Sequence, residues 1–213
     1  DFLQKLGKVL MTVIAVMPAA GLMISLGKLV QMGGGDIAAV MTIGNTMENI
    51  GWAVINNLHI LFAVAIGGSW AKERAGGAFA AVLAFALINV ITGNIFGVTS
   101  AMLADPNAVT HTLFGQEIAV NGYFTSVLGA PALNMGVFVG IIAGFVGGVA
   151  YNKYYNFRKL PDALAFFNGK RFVPMVVIAY SVVISMVLAL FWPVVQTGIN
   201  NFGIWIANSS ETS

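Results

Sequence analysis

Charge is what this sequence lacks most. Its 213 residues hold ten Lys and Arg and eight Asp and Glu, 8% in all, where an ordinary soluble domain carries about 25%. So few charges cannot cover the surface of a water-soluble globular enzyme, and an apolar content of 58% excludes a disordered chain. A net charge of +2 is too small for a nucleic-acid-binding face. The pI of about 9.0 reflects two extra basic groups among few charges. Cysteine is absent, which removes disulfides, thiolate nucleophiles and thiolate-held metal clusters. The two histidines, His59 and His111, lie far apart. No His/Asp/Glu group has metal-ligand spacing, so neither a metal nor a cofactor is expected. No secretory leader with a small-residue cleavage site precedes the first apolar run. What remains is the composition of a polytopic membrane protein.

A spanning helix needs about 20 apolar residues, and five such runs are present. They are Val9–Leu29 with a kink expected at Pro18, Ile50–Ser69, Ala78–Val98, Leu133–Tyr151, and Phe172–Val194 closing at Phe191-Trp192-Pro193. Lys5, Lys8, Lys72, Arg74, Lys153, Arg158, Lys159, Lys170 and Arg171 all fall on one side of this arrangement; Lys28 alone falls on the other. The positive-inside rule then gives an all-α fold with five transmembrane helices, a cytoplasmic N-terminus and an external C-terminus. Gln31–Asn49, with Gly33-Gly34-Gly35, reads as an outer loop containing a short interfacial helix at Ile37–Thr46. In the basic-free outer stretch Thr99–Ala132, Thr112–Gly115 and Gln116–Val120 flank a turn and predict a small hairpin. The cytoplasmic loop Asn152–Arg171, rich in Tyr, Phe, Lys and Arg, suits the membrane–water interface, with a helix starting at Leu160-Pro161-Asp162. Leu3, Leu6 and Leu10 against Gln4, Lys5 and Lys8 predict an amphipathic lead-in helix.

Four features carry possible function. Gly136, Gly140, Gly144 and Gly148 form a four-residue repeat that lets a second helix approach closely. The partner is either another helix of this chain or a second copy. Asn56, Asn57 and His59 open the second span and line a polar solute's path, or else sit at the outer interface in water. Asn89, Thr92 and Asn94 are expected to cap and hydrogen-bond locally. Lys170 and Arg171, in Gly169–Pro174, either anchor to headgroups or dock an acidic or phosphorylated partner. Glu48 and Glu73 read as isolated acids near span ends, so no carboxylate marks a proton path in mid-span.

The chain resembles enzyme IIC, the membrane component of the bacterial phosphoenolpyruvate-dependent sugar phosphotransferase system, in the glucose/maltose family. The resemblance rests on Leu3-Gln4-Lys5-Leu6-Gly7-Lys8 leading to Met17-Pro18-Ala19-Ala20-Gly21, and on Asn57-Leu58-His59-Ile60-Leu61-Phe62-Ala63-Val64. It is most specific at Leu160-Pro161 followed by Phe166-Phe167-Asn168-Gly169-Lys170-Arg171-Phe172-Val173-Pro174. Ala65–Gly77 resembles the maltose branch, as does His59, where glucose members tend to have Pro. The resemblance implies a bacterial inner-membrane homodimer that imports a sugar, maltose or glucose, while a IIB domain phosphorylates it from a phosphocysteine supplied through IIA and HPr. It places contact with IIB, or control of the inner gate, at Lys170 and Arg171. The family's Gly-Ile/Val-Thr-Glu and Gly-Leu-His-His motifs and its phosphorylated cysteine are absent. Residues 1–213 therefore resemble the N-terminal scaffold and dimerisation half of a IIC domain, not catalytic alone. An ion-coupled carrier and a purely structural dimerising module are the other classes open to this composition.

Overall fold

The structure, a computed structural model, describes residues 2–105, 107–111, 117–127 and 130–212. The chain opens with the amphipathic helix α1 (Phe2–Ile14), which buries Val9 and Val13, one turn apart. A break at Ala15 leads into α2 (Val16–Gly34). Pro18 has no N–H to offer the carbonyl of Ile14, so the expected kink appears three residues upstream of the proline. Gly35, at φ +54°, turns the chain, and α3 (Ala38–Asn56) returns along α2. After Asn57, α4 (Leu58–Trp70) leaves at 52° to α3.

The expected outer loop at Gln31–Asn49 is thus almost wholly helical. Gly27 and Gly44 let α2 and α3 pack closely. A Cβ on Gly27 would lie 2.6 Å from the backbone of Glu48, and one on Gly44 2.6 Å from Gln31 Cγ. The same close approach lets Gln31 donate to Glu48 Oε2 at 3.2 Å. Glu48 therefore lies in the body of α3, paired, and not alone at a span end.

A three-residue turn leads to α5 (Arg74–Ile95), the centre of the bundle, which touches α4, α8 (Val137–Tyr154) and α9 (Val173–Thr212). Between α5 and α8 the chain forms α6 (Ser100–Ala104), β1 (Val109–His111), β2 (Glu117–Ala119), α7 (Val120–Tyr123), β3 (Phe124–Val127) and β4 (Ala130–Leu133). β1 and β2 pair antiparallel, with His111 opposite Glu117; β3 and β4 pair likewise, with Phe124 opposite Leu133. The predicted hairpin is present in β1–β2, while Thr112–Gln116 lie outside the described residues. The fold is helical as expected, with these two short ribbons as its strands among the described residues. Near Leu133 apolar residues continue a strand rather than start a helix, and the left-handed Gly136 (φ +59°) separates β4 from α8. Thr110 and Gly93 hold the ribbons on the bundle. Thr110 Oγ1 donates to Phe96 O at 2.8 Å, and a Cβ on Gly93 would overlap the carbonyl of Pro131.

Among the described residues four helical stretches are long and apolar enough to cross a membrane, and the bent α3–α4 pair raises the number to five. The last one corrects the expected closure at Pro193. α9 runs 40 residues, through Pro193, or about 60 Å at 1.5 Å per residue. An apolar surrounding tolerates an interior proline; Pro193 leaves the carbonyl of Ala189 without its helical N–H, and one turn further on Thr197 Oγ1 donates to the Pro193 carbonyl at 2.8 Å.

The glycine stripe is internal packing. A Cβ on Gly140 would overlap the carbonyl of His59; on Gly144 it would lie 2.6 Å from Ile66 Cβ, and on Gly148 2.9 Å from Trp70 Cβ. All three face α4, and Gly147 meets the backbone of Ala81 in α5. Gly136 precedes the helix and is not part of the stripe. Asn89 and Thr92 are buried and bond their own helix, Asn89 Nδ2 to Phe85 O at 2.9 Å and Thr92 Oγ1 to Asn89 O at 3.0 Å.

Gly140→Leu should lower the melting temperature in detergent sharply, since overpacking a close helix contact costs about 1–3 kcal/mol or more. Gly21→Leu, where nothing lies within 4 Å of a Cβ, should leave it nearly unchanged. A change in oligomeric mass with no loss of stability in Gly140→Leu would contradict the internal assignment.

Candidate functional site

At the start of α4 lies a cavity of about 380 Å³, walled by Asn56, His59, Thr125, Ser126, Asn134 and the apolar Val139. Asn57 is not among its lining residues. Its Nδ2 donates to Ala53 O at 2.7 Å and its N–H bonds Val54 O at 3.2 Å, so this residue terminates α3 and makes the bend. The bend in turn sets Asn56 and His59, on either side of it, facing one space.

The level of His59 decides between the two readings of this polar group. Its ring meets Phe85 edge-on at 4.9 Å, and Phe85 lies halfway along the 22-residue α5. His59 is therefore at mid-helix depth and not at an end of the bundle. The local folding explains this: α3 has already returned along α2 for about five turns before Asn57. His59 Nδ1 accepts the N–H of Ile60 at 2.9 Å, which fixes Nε2 as the N–H donor. The hydroxyls of Thr125 and Ser126 and the amide of Asn134 arrive from β3 and the end of β4. Sequence patterning missed these three because only the fold-back of the ribbon onto α5 brings them to α4. Among the described residues the lining holds no Asp, Glu, Lys or Arg. The cavity thus offers amide, hydroxyl and imidazole groups suited to an uncharged polyhydroxylated solute, and it has no carboxylate for acid–base chemistry.

The second constellation sits past the other end of α4, about 17 Å along its axis from His59. Glu73, in the turn before α5, accepts from Tyr151 OH at 2.8 Å and pairs with Lys170. It is not isolated. The Lys170 ammonium, and after it the Tyr151 hydroxyl, hold the Glu73 carboxyl below its ordinary pKa. Asn152 clamps the same turn to α8, accepting from Lys72 N and donating to Trp70 O, each at 2.7 Å. Two 3₁₀ turns, Asp162–Phe167 and Gly169–Phe172, form the basic loop, and Pro161 precedes the first, where a helix start was expected. Arg171 places its guanidinium 4.3 Å over the Phe166 ring. Lys5 stacks on Trp70 at 4.7 Å, which brings the N-terminal helix to this same basic end.

The chain thus combines apolar helices of membrane-spanning length, an uncharged polar cavity at mid-helix depth and a clustered basic end. Comparison with known proteins gives the family. The model of the phosphotransferase system EIIC family matches residues 7–212, and the chain belongs to that family. It is 70% identical over all 213 residues to the PTS system glucose-specific EIICBA component of Streptococcus pneumoniae serotype 4, covering 29% of that protein. It is 36% identical over 209 residues, 94% of this chain, to the PTS system glucose-specific EIICBA component of Staphylococcus carnosus, covering 28% of it. The chain spans less than a third of the length of these relatives.

The Glu73 pairing has a defined pH window. A carboxyl whose folded pKa is depressed contributes above its unfolded pKa, about 4.5 or below for Glu, and that contribution is lost as pH falls through the folded value. Amide exchange at 168–172 should stay slow from pH 7 to the ordinary carboxylate range and rise below it relative to the rest of the chain. Glu73→Gln should exchange severalfold faster in this loop already at pH 7, with α8 unaffected.

Proposed function

We propose that this chain is part of a sugar-translocating membrane component of the phosphotransferase system, importing glucose while a IIB domain phosphorylates it. The observation that carries this reading is the family match over residues 7–212. The fused EIICBA relatives, both glucose-specific by name, support glucose over maltose and IIB as partner, with IIA and HPr upstream of it. The chain acts as the scaffold half of the IIC domain, in a homodimer in the bacterial inner membrane. It has five spans, a cytoplasmic N-terminus and an external C-terminus. In this orientation the nine clustered basic residues face the cytoplasm, as the positive-inside rule requires.

The cavity of Asn56 and His59 then opens toward the outside at mid-membrane depth and forms one wall of the sugar's path. A polar group at that depth is costly unless it meets protein, water or a solute. Asn57 serves the path by making the bend. On the cytoplasmic side, Lys170 and Arg171 are both engaged within the chain, which favours control of the inner loop over direct docking of IIB. No feature of the chain favours an ion-coupled carrier, and the occupied glycine stripe removes the basis for a module that dimerises through it.

The test is glucose-stimulated phosphorylation and uptake by the full-length protein containing this segment, with maltose as competitor. Asn56→Ala and His59→Ala should each weaken glucose handling by about fivefold, the worth of one lost hydrogen bond. Asn57→Ala should act through stability instead. Uptake that follows an ion gradient and needs no phosphorylated IIB would overturn the reading.

A further inference from the structure

We propose that the basic end carries a binding site for one anionic phospholipid, built from two adjoining compartments. The first, of about 470 Å³, is walled by Tyr155, Asn156, Arg158, Phe166, Lys170 and Arg171. The second, of about 310 Å³, is a mainly apolar groove along Gly76, Phe79, Tyr151, Val173 and Pro174, with the Lys170-paired Glu73 at its wall. Lys170 and Arg171 line both, so a cationic chamber passes directly into an apolar channel. That sequence of chemistries matches a phosphate headgroup joined to an acyl chain.

Lys170 is paired with Glu73, while Arg158 and Arg171 have no carboxylate partner among the described residues. Two unpaired guanidinium groups lining one chamber point to an anion. Arg171 is braced over Phe166 and donates a long hydrogen bond to its carbonyl at 3.5 Å. Arg158 lies against Gly169, where a Cβ would come within 2.9 Å of its Nη1. Gly169 also has φ +76°, so only glycine leaves the guanidinium this seat. Two guanidinium groups lining one chamber suit the bidentate recognition of phosphate oxygens.

The observations favour a lipid over a free phosphate or a phosphorylated protein. Phe166 is 65% exposed and Phe79 60% exposed. Leu164 is exposed beside Phe166 on the first 3₁₀ turn, so the loop presents apolar side chains around its cations, as interfacial segments do. A phosphorylated protein would use the cationic chamber and leave the apolar groove unused.

The test uses the purified chain in detergent, with native mass spectrometry counting bound lipid as phosphatidylglycerol or phosphatidylcholine of identical acyl chains is titrated. One phosphatidylglycerol should be retained in preference to phosphatidylcholine and should raise the melting temperature. Arg158→Gln and Arg171→Gln should each weaken its binding roughly fivefold, while Lys153→Gln should not. Equal retention of the two lipids, or variants that bind as wild type, would overturn the proposal. Displacement by inorganic phosphate at matched concentration would also overturn it, as a site for phosphate alone. Displacement by an isolated IIB domain would overturn it as a protein-docking surface. The wild-type lipid comparison and the competitions decide the matter even if a variant does not fold.

Discussion

The close approach of α4 and α8 through bare backbone is the constraint on which the rest depends. In an apolar solvent, helices gain little from burying leucine against leucine, so van der Waals contact at short range has to hold the bundle. Gly140, Gly144 and Gly148 give α8 a face without side chains, and α4 lies in it with His59, Ile66 and Trp70 in succession. Ala80, Ala81 and Ala84 bring α5 in beside them, all fully buried. Larger residues at any of these positions would push the helices apart and move every group mounted on them. The Gly140 contact is with the backbone of His59 itself, so packing and cavity share an atom pair.

The bend at Asn57 follows from the same economy. Two helical stretches of 33 residues, Phe2–Gly34 and Ala38–Trp70, run side by side and are interrupted at matching heights, at Ala15 and at Asn57. Each break has its own local chemistry: a proline that withholds an N–H in one, and a side-chain amide that takes over a backbone carbonyl in the other. Because the interruption of α3–α4 falls at depth, it exposes polar groups where a continuous helix would have hidden its own backbone. Asn56 and His59 owe their position to that interruption and not to the ends of the bundle.

Much of this was legible in the sequence. Composition and apolar runs predicted the membrane class, the basic residues defined one end, and the four-residue glycine spacing announced a close helix contact. Asn56 and His59 were found because polar residues beside a long apolar run are conspicuous. The depth of His59 was not legible, since Gln31–Asn49 has the glycine and polar content of a loop. Gly44 packs against α2 while Gly35 turns the chain, and hydropathy cannot distinguish a glycine that packs from one that turns. Thr125, Ser126 and Asn134 were invisible for another reason: their contribution depends on a ribbon folding back over Gly93. The Glu73–Lys170 pair spans 97 positions in the chain, which no local pattern reports. Leu133 misled because a β-strand and the start of an apolar helix look alike over four residues.

The two ends of the molecule divide the chemistry by charge. Among its described lining residues the cavity has amide, hydroxyl and imidazole groups and no ionic group, so a neutral polar solute would meet partners that need not be desolvated as charges. An ion there would face the full cost of a low-dielectric site with no counter-charge. The basic end is the opposite: Lys5, Lys72, Arg158, Lys170 and Arg171 lie there, with Lys170 paired to Glu73. If a sugar gains a phosphate at that end, it acquires a charge for which the mid-depth cavity has no partner. The asymmetry would then make return through the cavity unfavourable, and the direction of import would be written into where the charged residues stand. Such a bias would require no moving part within residues 1–213, only that the neutral cavity and the basic end stay apart, and the glycine-packed pair α4–α8 holds them one helix length from each other.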